Sequence, residues 1–183
     1  MLTVRKYEEK DKEGVRFACL NSDGPTESEN FGKFVLHTFC DYYIEKEPEN
    51  CFVLSDDGNA VGYVICTEDY DAYREVFDKE YLPLNKDLGE ELYKWAETSI
   101  VIQEKHKNEY PAHLHIDILP EYQRQGWGGK LIDALSEHLK AKGVRGVMLT
   151  TGSDNEKGCG FYRKYGFTEV DLIDGEIAFG LKF

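Results

Sequence analysis

Hydrophobic positions alternate with a period of two in some segments of the chain and follow a helical spacing in others. Short runs rich in β-branched and aromatic residues predict strands at 2–7, 51–54, 60–66, 113–119, 147–151, 167–170 and 177–183. Apolar residues at helical spacing predict helices at 11–20, 31–46, 90–107, 128–142 and 155–165. An early β-hairpin followed by a β-α-β-α-β succession indicates an α/β (α+β) fold, with a mixed sheet flanked by helices.

Two segments interrupt this succession. Residues 21–30 are polar, include Gly24 and Pro25, and predict a loop. Residues 68–107 are charged and rich in tyrosine, and they predict a largely helical insertion before the strand at 113–119. Four tyrosines of this insertion either line a pocket or pack its helices together: Tyr70, Tyr73, Tyr81 and Tyr93.

A glycine-rich turn connects the strand at 113–119 to the helix that follows. Residues 119–131 read Leu-Pro-Glu-Tyr-Gln-Arg-Gln-Gly-Trp-Gly-Gly-Lys-Leu. Backbone N–H groups converge in such a turn, and the helix N-terminus adds a partial positive charge. Gly126 and Gly128 carry no Cβ that would keep an anion away from the backbone. The turn therefore predicts a pyrophosphate site, although taken alone it also fits a purely structural turn.

Three nucleotide-binding motifs compete for this turn. The dinucleotide fingerprint G-x-G-x-x-G requires glycine at position 131, where the chain has Leu131. The P-loop pattern G-x-x-x-x-G-K-[ST] requires glycine at 124 and a hydroxyl at 131, but Arg124 and Leu131 occupy those positions. The pattern Q/R-x-x-G-x-G/A fits, with Gln123, Gly126 and Gly128 in its three fixed positions.

A second motif follows at a suitable distance. Asn155 and the segment Phe161-Tyr162-Arg163-Lys164-Tyr165-Gly166-Phe167 fit the pattern N…(F/L)-Y-x-x-x-G-F. Together, the two motifs resemble those of the GNAT acetyltransferases. The resemblance implies that 1–183 form a single GNAT domain, whose central sheet is mixed, mostly antiparallel and twisted. It also implies acetyl transfer from acetyl-CoA, by direct attack, to a primary amine on a small molecule or a protein.

The same resemblance implies roles for individual residues. It assigns coenzyme A binding to Ile116, Ile118, Gln123, Arg124, Gln125, Gly126, Trp127, Gly128, Gly129, Lys130, Asn155 and Tyr162. A backbone N–H near 116–118 would donate to the oxyanion that forms during transfer. The Tyr162 hydroxyl would act as a general acid on the departing thiolate, whereas the alternative makes Tyr162 a core aromatic residue.

The general base is less well defined by the sequence. Many members of the family carry glutamate at the position that corresponds to Thr150, and a threonine cannot take that role. Strand alternation places His113, His115 and Asp117 on one face, and we name His115 and Asp117 as the catalytic candidates. Histidine has a suitable intrinsic pKa, and Asp117 offers a carboxylate for a water relay. Structural hydrogen bonding within the sheet remains the alternative for these side chains.

Three further segments resemble the acetyltransferase-like C-terminal domains of O-GlcNAcases and their stand-alone bacterial relatives: 114–118, 139–143 and 161–162. This likeness does not identify an acceptor. Because Thr150 replaces the usual glutamate and the base is not defined, a second hypothesis stays open, in which the domain binds acyl-CoA or a partner protein without turnover. Because the insertion at 68–107 enters beside the catalytic strand, we expect it to form the wall of the acceptor site.

Composition limits the classes of partner. The chain has 22 basic and 35 acidic side chains and a formal net charge of −13. Such a field repels nucleic acid and attracts a cationic amine. An acidic surface that serves only solubility is the alternative. A third hypothesis, a hydrolase that uses paired carboxylates, is supported only by the abundance of Asp and Glu.

The remaining features concern location and assembly. No apolar run reaches the length of a membrane span, and the first residues contain no signal-peptide core, so we expect no membrane partner and a cytoplasmic location. The five cysteines are scattered without a C-x-x-C pair, which predicts neither a disulfide framework nor a metal site. An exposed edge strand would allow a homodimer.

Overall fold

The computed structural model describes residues 1–24, 26 and 28–183. The strands in this part of the chain are β1 (Leu2–Lys6), β2 (Phe52–Asp56), β3 (Asn59–Thr67), β4 (Ala112–Ile118), β5 (Gly146–Gly152), β6 (Thr168–Ile173) and β7 (Glu176–Lys182). They form one sheet in the order β1-β2-β3-β4-β5-β7-β6. The pairing of β4 with β5 is parallel, and the other neighbours pair antiparallel. The mixed, mostly antiparallel sheet predicted above is confirmed.

Helices cover both faces of this sheet. The α-helices of the described residues are α1 (Lys12–Asn21), α2 (Glu29–Phe39), α3 (Asp41–Lys46), α4 (Tyr70–Val76), α5 (Glu90–Thr98), α6 (Val101–His106), α7 (Trp127–Ala141) and α8 (Glu156–Tyr165). On one face, Tyr43 of α3 meets His115 of β4. On the other, His138 of α7 contacts Phe52 of β2, which lies in register with Ile116. Helix α8 packs beside α7 on this second face.

Two predicted helices are wrong in extent. The helix expected at 31–46 divides into α2 and α3, because Cys40 has a non-helical backbone with φ −132° and ψ −63°. The helix expected at 90–107 divides into α5 and α6 around Ile100, whose φ of −120° is also non-helical. Just before that break, the hydroxyls of Thr98 and Ser99 donate to carbonyls of the preceding turn. Such bonds compete with helix continuation.

The loop expected at 21–30 is shorter in the structure. Helix α1 extends through Asn21, and α2 begins at Glu29 after Ser28 caps it by accepting a hydrogen bond from the Phe31 N–H at 3.2 Å. Gly24 has a left-handed φ of 113°. Pro25, which contributed to the loop prediction, lies outside the described residues.

The insertion between β3 and β4 is helical, as expected. It contains α4, a π-helical turn at Phe77–Tyr81, a 3-10 segment at Leu82–Leu88, and then α5 and α6. Tyr70, Tyr73 and Tyr81 are buried, which shows that they pack the insertion against the core. Within the described residues, no helix combines the length and the apolar character that a bilayer span requires.

The pairing of β4 with β5 is short. Its register contains two pairs, Ala112 with Val147 and His113 with Met148. Beyond these pairs the two strands diverge, although β4 remains paired with β3 as far as Ile118 and β5 remains paired with β7 as far as Gly152. The sheet therefore contains an internal gap between its two halves.

Gly180 of β7 provides a test of the packing around this sheet. A Cβ at position 180 would approach the Tyr110 ring to 2.4 Å, so Gly180→Ala should overpack the contact and destabilise the protein by about 1–3 kcal/mol. Gly160→Ala is the matched control, because nothing lies within 4 Å of its Cβ position in α8. Chemical denaturation measures the free energy of unfolding of both variants. If Gly180→Ala were as stable as the native protein, the contact between Tyr110 and β7 would be contradicted.

Candidate active site

A cavity of about 460 Å³ opens where β4 and β5 diverge. Its wall comprises 22–23 at the end of α1, 114–118 of β4, the glycine turn, 149–151 of β5 and the start of α8. Helices α1 and α8 belong to opposite faces of the sheet. The cavity is therefore lined from both faces, with the gap between the strands at its centre.

The backbone of β4 supplies hydrogen-bonding groups to this gap. The Leu119 N–H donates to the Val61 carbonyl at 3.0 Å, which places the odd-numbered positions of β4 in hydrogen-bonded pairs with β3. The backbone groups of Ile116 and Ile118 consequently point away from β3. Because β5 has diverged at this level, these groups face the cavity.

The glycine turn places a helix N-terminus at the cavity. Arg124 and Gly126 adopt left-handed φ values of 59° and 83°, and Gly126 is the N-cap of α7. The N–H groups of the first helical turn have no partner within the helix, whereas the Lys130 N–H donates to the Gly126 carbonyl at 3.4 Å. Gly126 and Gly128 both line the cavity, so the positive end of the α7 dipole lies at its wall.

The two glycines have different physical reasons for lacking a side chain. Gly126 has open space around its Cβ position, so its left-handed φ is the reason for glycine there. A Cβ at Gly128 would lie 3.1 Å from the Phe161 ring, so this glycine permits close packing of α7 on α8. At Gly128 the sequence suggested anion approach alone and did not anticipate the aromatic neighbour.

The Gln123 side chain holds the turn in place. Its amide donates to the Ile118 carbonyl at 2.7 Å and to the Ser22 carbonyl at 3.0 Å. The first bond satisfies a backbone acceptor that the divergence of β5 leaves without a strand partner. Gln123 thereby connects the turn, the end of β4 and the end of α1.

The structure brings only part of the predicted cofactor set to the cavity wall. The residues on the wall are Ile116, Ile118, Gln123, Arg124, Gly126, Gly128, Asn155 and Tyr162. The predicted residues outside it are Gln125, Trp127, Gly129 and Lys130. Gln125 donates to the Glu121 carbonyl at 3.0 Å, and the Lys130 ammonium lies 3.9 Å from the centre of the Trp127 ring. A role of these four in cofactor binding stays a prediction.

Asn155 caps α8 at the cavity wall. Its side-chain oxygen accepts from the Gly158 N–H at 2.9 Å, and its amide donates to the Thr151 hydroxyl at 3.1 Å. A Cβ at Gly158 would come within 2.6 Å of the Asn155 amide nitrogen, so glycine is needed beside this cap. Asn155 fixes the start of the helix that carries Tyr162.

Tyr162 lies half-buried on α8 and faces the cavity. Its ring packs against Phe167 and Phe179, with centroid distances of 5.7 Å and 5.4 Å. Among the described residues, its hydroxyl has no hydrogen-bond partner within 3.5 Å. Burial raises the pKa of Tyr162, and the Asp117 carboxylate adds to this effect, so the hydroxyl keeps its proton at neutral pH.

Asp117 lies on β4 in the same cavity. Its carboxylate accepts hydrogen bonds from the hydroxyls of Tyr63 and Ser22, the latter at 2.9 Å. Burial raises the pKa of Asp117 to about 7, although these two hydrogen bonds act to lower it and the Asp23 carboxylate acts to raise it. A carboxyl group with this pKa can accept and release a proton near neutral pH.

The two histidines of β4 share one partner. The Tyr43 hydroxyl lies 2.9 Å from Nε2 of His113 and 3.1 Å from Nε2 of His115. Burial lowers the pKa of His115 to about 4 and holds the pKa of His113 well below its ordinary value. His115 lines the cavity, whereas His113 is enclosed by the aromatic rings of Tyr43 and Tyr73.

Both cationic and anionic side chains line the cavity. Arg124 of the turn and Lys157 in the first turn of α8 supply positive charge, and the N-termini of both helices also lie at the wall. Asp23 and Asp117 supply negative charge. Neither cation forms an ion pair within 4.0 Å with a described residue. The cations suit a phosphorylated ligand and the carboxylates suit a cationic one.

Several cavity residues were not identified by sequence reasoning. Ser22 and Asp23 are distant in sequence from both motifs, and no local pattern marked them. Lys157 follows Asn155 in the second motif, so its position in the first helical turn was a usable signal. No residue of the insertion at 68–107 lines the cavity described here, and its role as an acceptor wall stays a prediction.

Comparison with known proteins identifies the family. The model of the acetyltransferase (GNAT) family matches residues 16–167. The chain belongs to the acetyltransferase (GNAT) family. This assignment supports an acetyl-CoA-dependent N-acetyltransferase and confirms the family and the enzyme class that the two motifs predicted.

Individual GNAT relatives agree with this assignment. N-alpha-acetyltransferase 30 of Schizosaccharomyces pombe is 26% identical over 140 residues, which cover 76% of this chain and 69% of that protein. Protein O-GlcNAcase of Rattus norvegicus is 23% identical over 191 residues, covering 94% of this chain but only 21% of O-GlcNAcase. The crystal structure of SsHAT has a TM-score of 0.89 at 29% identity and covers 99% of this chain and 98% of that one.

Substitutions at Asn155 test its role as the N-cap of α8. Asn155→Ala removes the cap and should destabilise the protein by about 1 kcal/mol, whereas Asn155→Ser retains a capping oxygen and should recover most of that loss. Thermal unfolding measures both. If Asn155→Ala were as stable as the native protein, the cap would contribute nothing to the placement of α8.

Proposed function

We propose that this GNAT domain transfers the acetyl group of acetyl-CoA to a primary amine by direct attack, with Asp117 as general base and Tyr162 as general acid. The observation that carries this proposal is the cavity at the divergence of β4 and β5. Its wall contains two helix N-termini, the cations Arg124 and Lys157, and the carboxylates Asp23 and Asp117. Such a lining suits both an anionic cosubstrate and a cationic acceptor.

Acetyl-CoA binding rests on the α7 end of the cavity. The unpaired N–H groups of the first helical turn would bind the pyrophosphate, and Arg124 and Lys157 would add charge complementarity. The backbone groups of Ile116 and Ile118 face the gap, so the pantetheine arm would pair with β4 where β5 has diverged from it. An N–H of this strand would also donate to the thioester oxygen as negative charge develops on it.

The reaction itself requires two proton transfers. The amine nitrogen attacks the thioester carbonyl carbon, and the carbon–sulfur bond breaks as the tetrahedral intermediate collapses. Asp117 takes the proton that the amine loses, directly or through one water molecule. Tyr162 gives its proton to the departing sulfur, so the products are the acetylated amine and free coenzyme A.

Asp117 is the better base of the two candidates on β4. With its pKa raised to about 7, it is a stronger proton acceptor than an ordinary carboxylate and is still substantially ionised at neutral pH. His115, with its pKa lowered to about 4, is a weaker proton acceptor than Asp117. We therefore assign the base to Asp117 and exclude His115 from that role.

The acceptor is proposed to be the α-amino group of a peptide or protein. The name of the related N-alpha-acetyltransferase 30 indicates acceptors of this class. The carboxylates of Asp23 and Asp117 would attract the protonated amine, which releases one proton to solvent before the neutral nitrogen attacks. A small-molecule amine is the competing acceptor class, and an amine panel distinguishes the two.

Calorimetric titration with acetyl-CoA tests the cofactor site directly. We expect the native protein to bind acetyl-CoA and Gly126→Glu to lose binding, because a carboxylate would lie at the α7 N-terminus and the left-handed backbone would be strained. Gly160→Glu places the same charge on an exposed position of α8 and serves as the matched control. Equal binding by native protein and Gly126→Glu would contradict the site.

The dependence of kcat/KM on pH tests the two catalytic roles. Because Asp117 acts in its ionised form, kcat/KM should rise with pH up to about 7. Above that pH, Asp117 is already ionised and should cause no further rise. Asp117→Asn should remove the inflection and lower turnover on the order of 100-fold. Tyr162→Phe should also lower turnover but keep the inflection and the affinity for acetyl-CoA. An unchanged profile in Asp117→Asn would exclude it as the base.

A further inference from the structure

A cluster formed by Tyr43, His113 and His115 lies beside the catalytic cavity and takes no part in the mechanism above. The Tyr43 hydroxyl is fully buried and lies within hydrogen-bond distance of Nε2 on both rings, at 2.9 Å and 3.1 Å. A hydroxyl has one proton, so it donates to one ring nitrogen and accepts from the other. Both imidazoles are neutral because burial lowers their pKa values. The two histidines must therefore be opposite tautomers.

The surroundings of His113 determine which ring has which tautomer. Its Nδ1 is enclosed and has no hydrogen-bond partner among the described residues. Tyr73 is the ring nearest to His113, at 4.6 Å, and its hydroxyl makes no hydrogen bond to this nitrogen. Buried N–H donors without a partner are rarer in proteins than under-used acceptors. His113 thus keeps its proton on Nε2 and donates it to Tyr43.

The tautomer of His115 follows from that of His113. Since the Tyr43 oxygen accepts from His113, its own proton goes to Nε2 of His115. The remaining proton of the neutral His115 ring is then on Nδ1. That nitrogen has no hydrogen bond to a described residue and is not among the enclosed polar atoms, and His115 lines the cavity.

We infer that Tyr43 fixes His115 as an Nδ1–H donor toward the acceptor, and that this donor selects amines with a carbonyl oxygen close to the nitrogen. The inference rests on the proposed function, because it assigns Asp117 the amine and His115 the neighbouring oxygen. The two residues are two positions apart on the same face of β4, roughly 7 Å along the strand. In an α-amino group followed by an amide carbonyl, the nitrogen can reach Asp117 while the carbonyl oxygen reaches His115. Amines of this kind are the acceptor class that we infer.

Two amines of similar shape test this selectivity. Glycinamide has a carboxamide group where isobutylamine has an isopropyl group, so only glycinamide offers a carbonyl oxygen. Because they also differ in basicity, the readout is the change in their kcat/KM ratio between variants, in which that difference cancels. We expect loss of the donor to lower the ratio about 10-fold or more, as expected when a site loses a polar contact.

The variants distinguish the two ring nitrogens. His115→Asn places an amide nitrogen near the δ position and should keep most of the ratio, whereas His115→Gln places it at the ε position and should lose it. Tyr43→Phe keeps the packing of the ring but removes the hydroxyl that orients His115, and should lower the ratio in part. An equal ratio in the native protein and His115→Gln would overturn the inference.

Nitrogen NMR of histidine-labelled protein measures the tautomer without any turnover. We expect a protonated Nδ1 and an unprotonated Nε2 on His115, with the opposite pattern on His113, and we expect glycinamide but not isobutylamine to shift the His115 Nδ1 signal. A protonated Nε2 on His115, or no response to glycinamide, would overturn the inference. Absence of acetyl-CoA binding and turnover would count against the proposed function instead, while the tautomer measurement still stands.

Discussion

The divergence of β4 from β5 is the constraint on which the rest of the structure depends. A sheet normally satisfies the backbone groups of each strand through its neighbours, but β4 loses one neighbour after His113 while remaining partly buried. Unsatisfied groups of this kind are costly. Gln123 compensates one of them by donating to the Ile118 carbonyl. The others face the cavity, so the feature that weakens the sheet also creates a surface that an extended ligand can pair with.

The same gap explains why the ionisable groups behave as they do. Asp117 is held by hydroxyls of Tyr63 and Ser22 rather than by a cation, so burial dominates and raises its pKa to about 7. Asp117 is therefore protonated to a greater extent in the folded protein than in the unfolded chain between roughly pH 4 and 7, and its contribution to stability falls as pH rises through this range. The raised pKa that suits Asp117 to its proposed role as a base is thus retained at a cost in stability.

The sequence predicted the sheet, the turn and the α8 motif because each depends on local patterning. It failed where tertiary contacts override local preference: the helix at 31–46 breaks at Cys40, and the helix at 90–107 breaks near Ile100. It also missed Ser22 and Asp23, which reach the cavity from a helix that the motifs do not include. Residues that converge through topology leave no periodic signal in the chain.

Thr150 shows how the cavity can serve proton transfer without the glutamate that many GNAT enzymes carry at this position. Register places Met148 level with His113, so Thr150 lies level with His115 across the gap and on the same face as Asp117. A second carboxylate at 150 would line the same cavity as Asp117, and repulsion between the like charges would raise the pKa of one of them further. In the proposed mechanism Asp117 on β4 therefore acts as the base without a competing charge at Thr150 on β5.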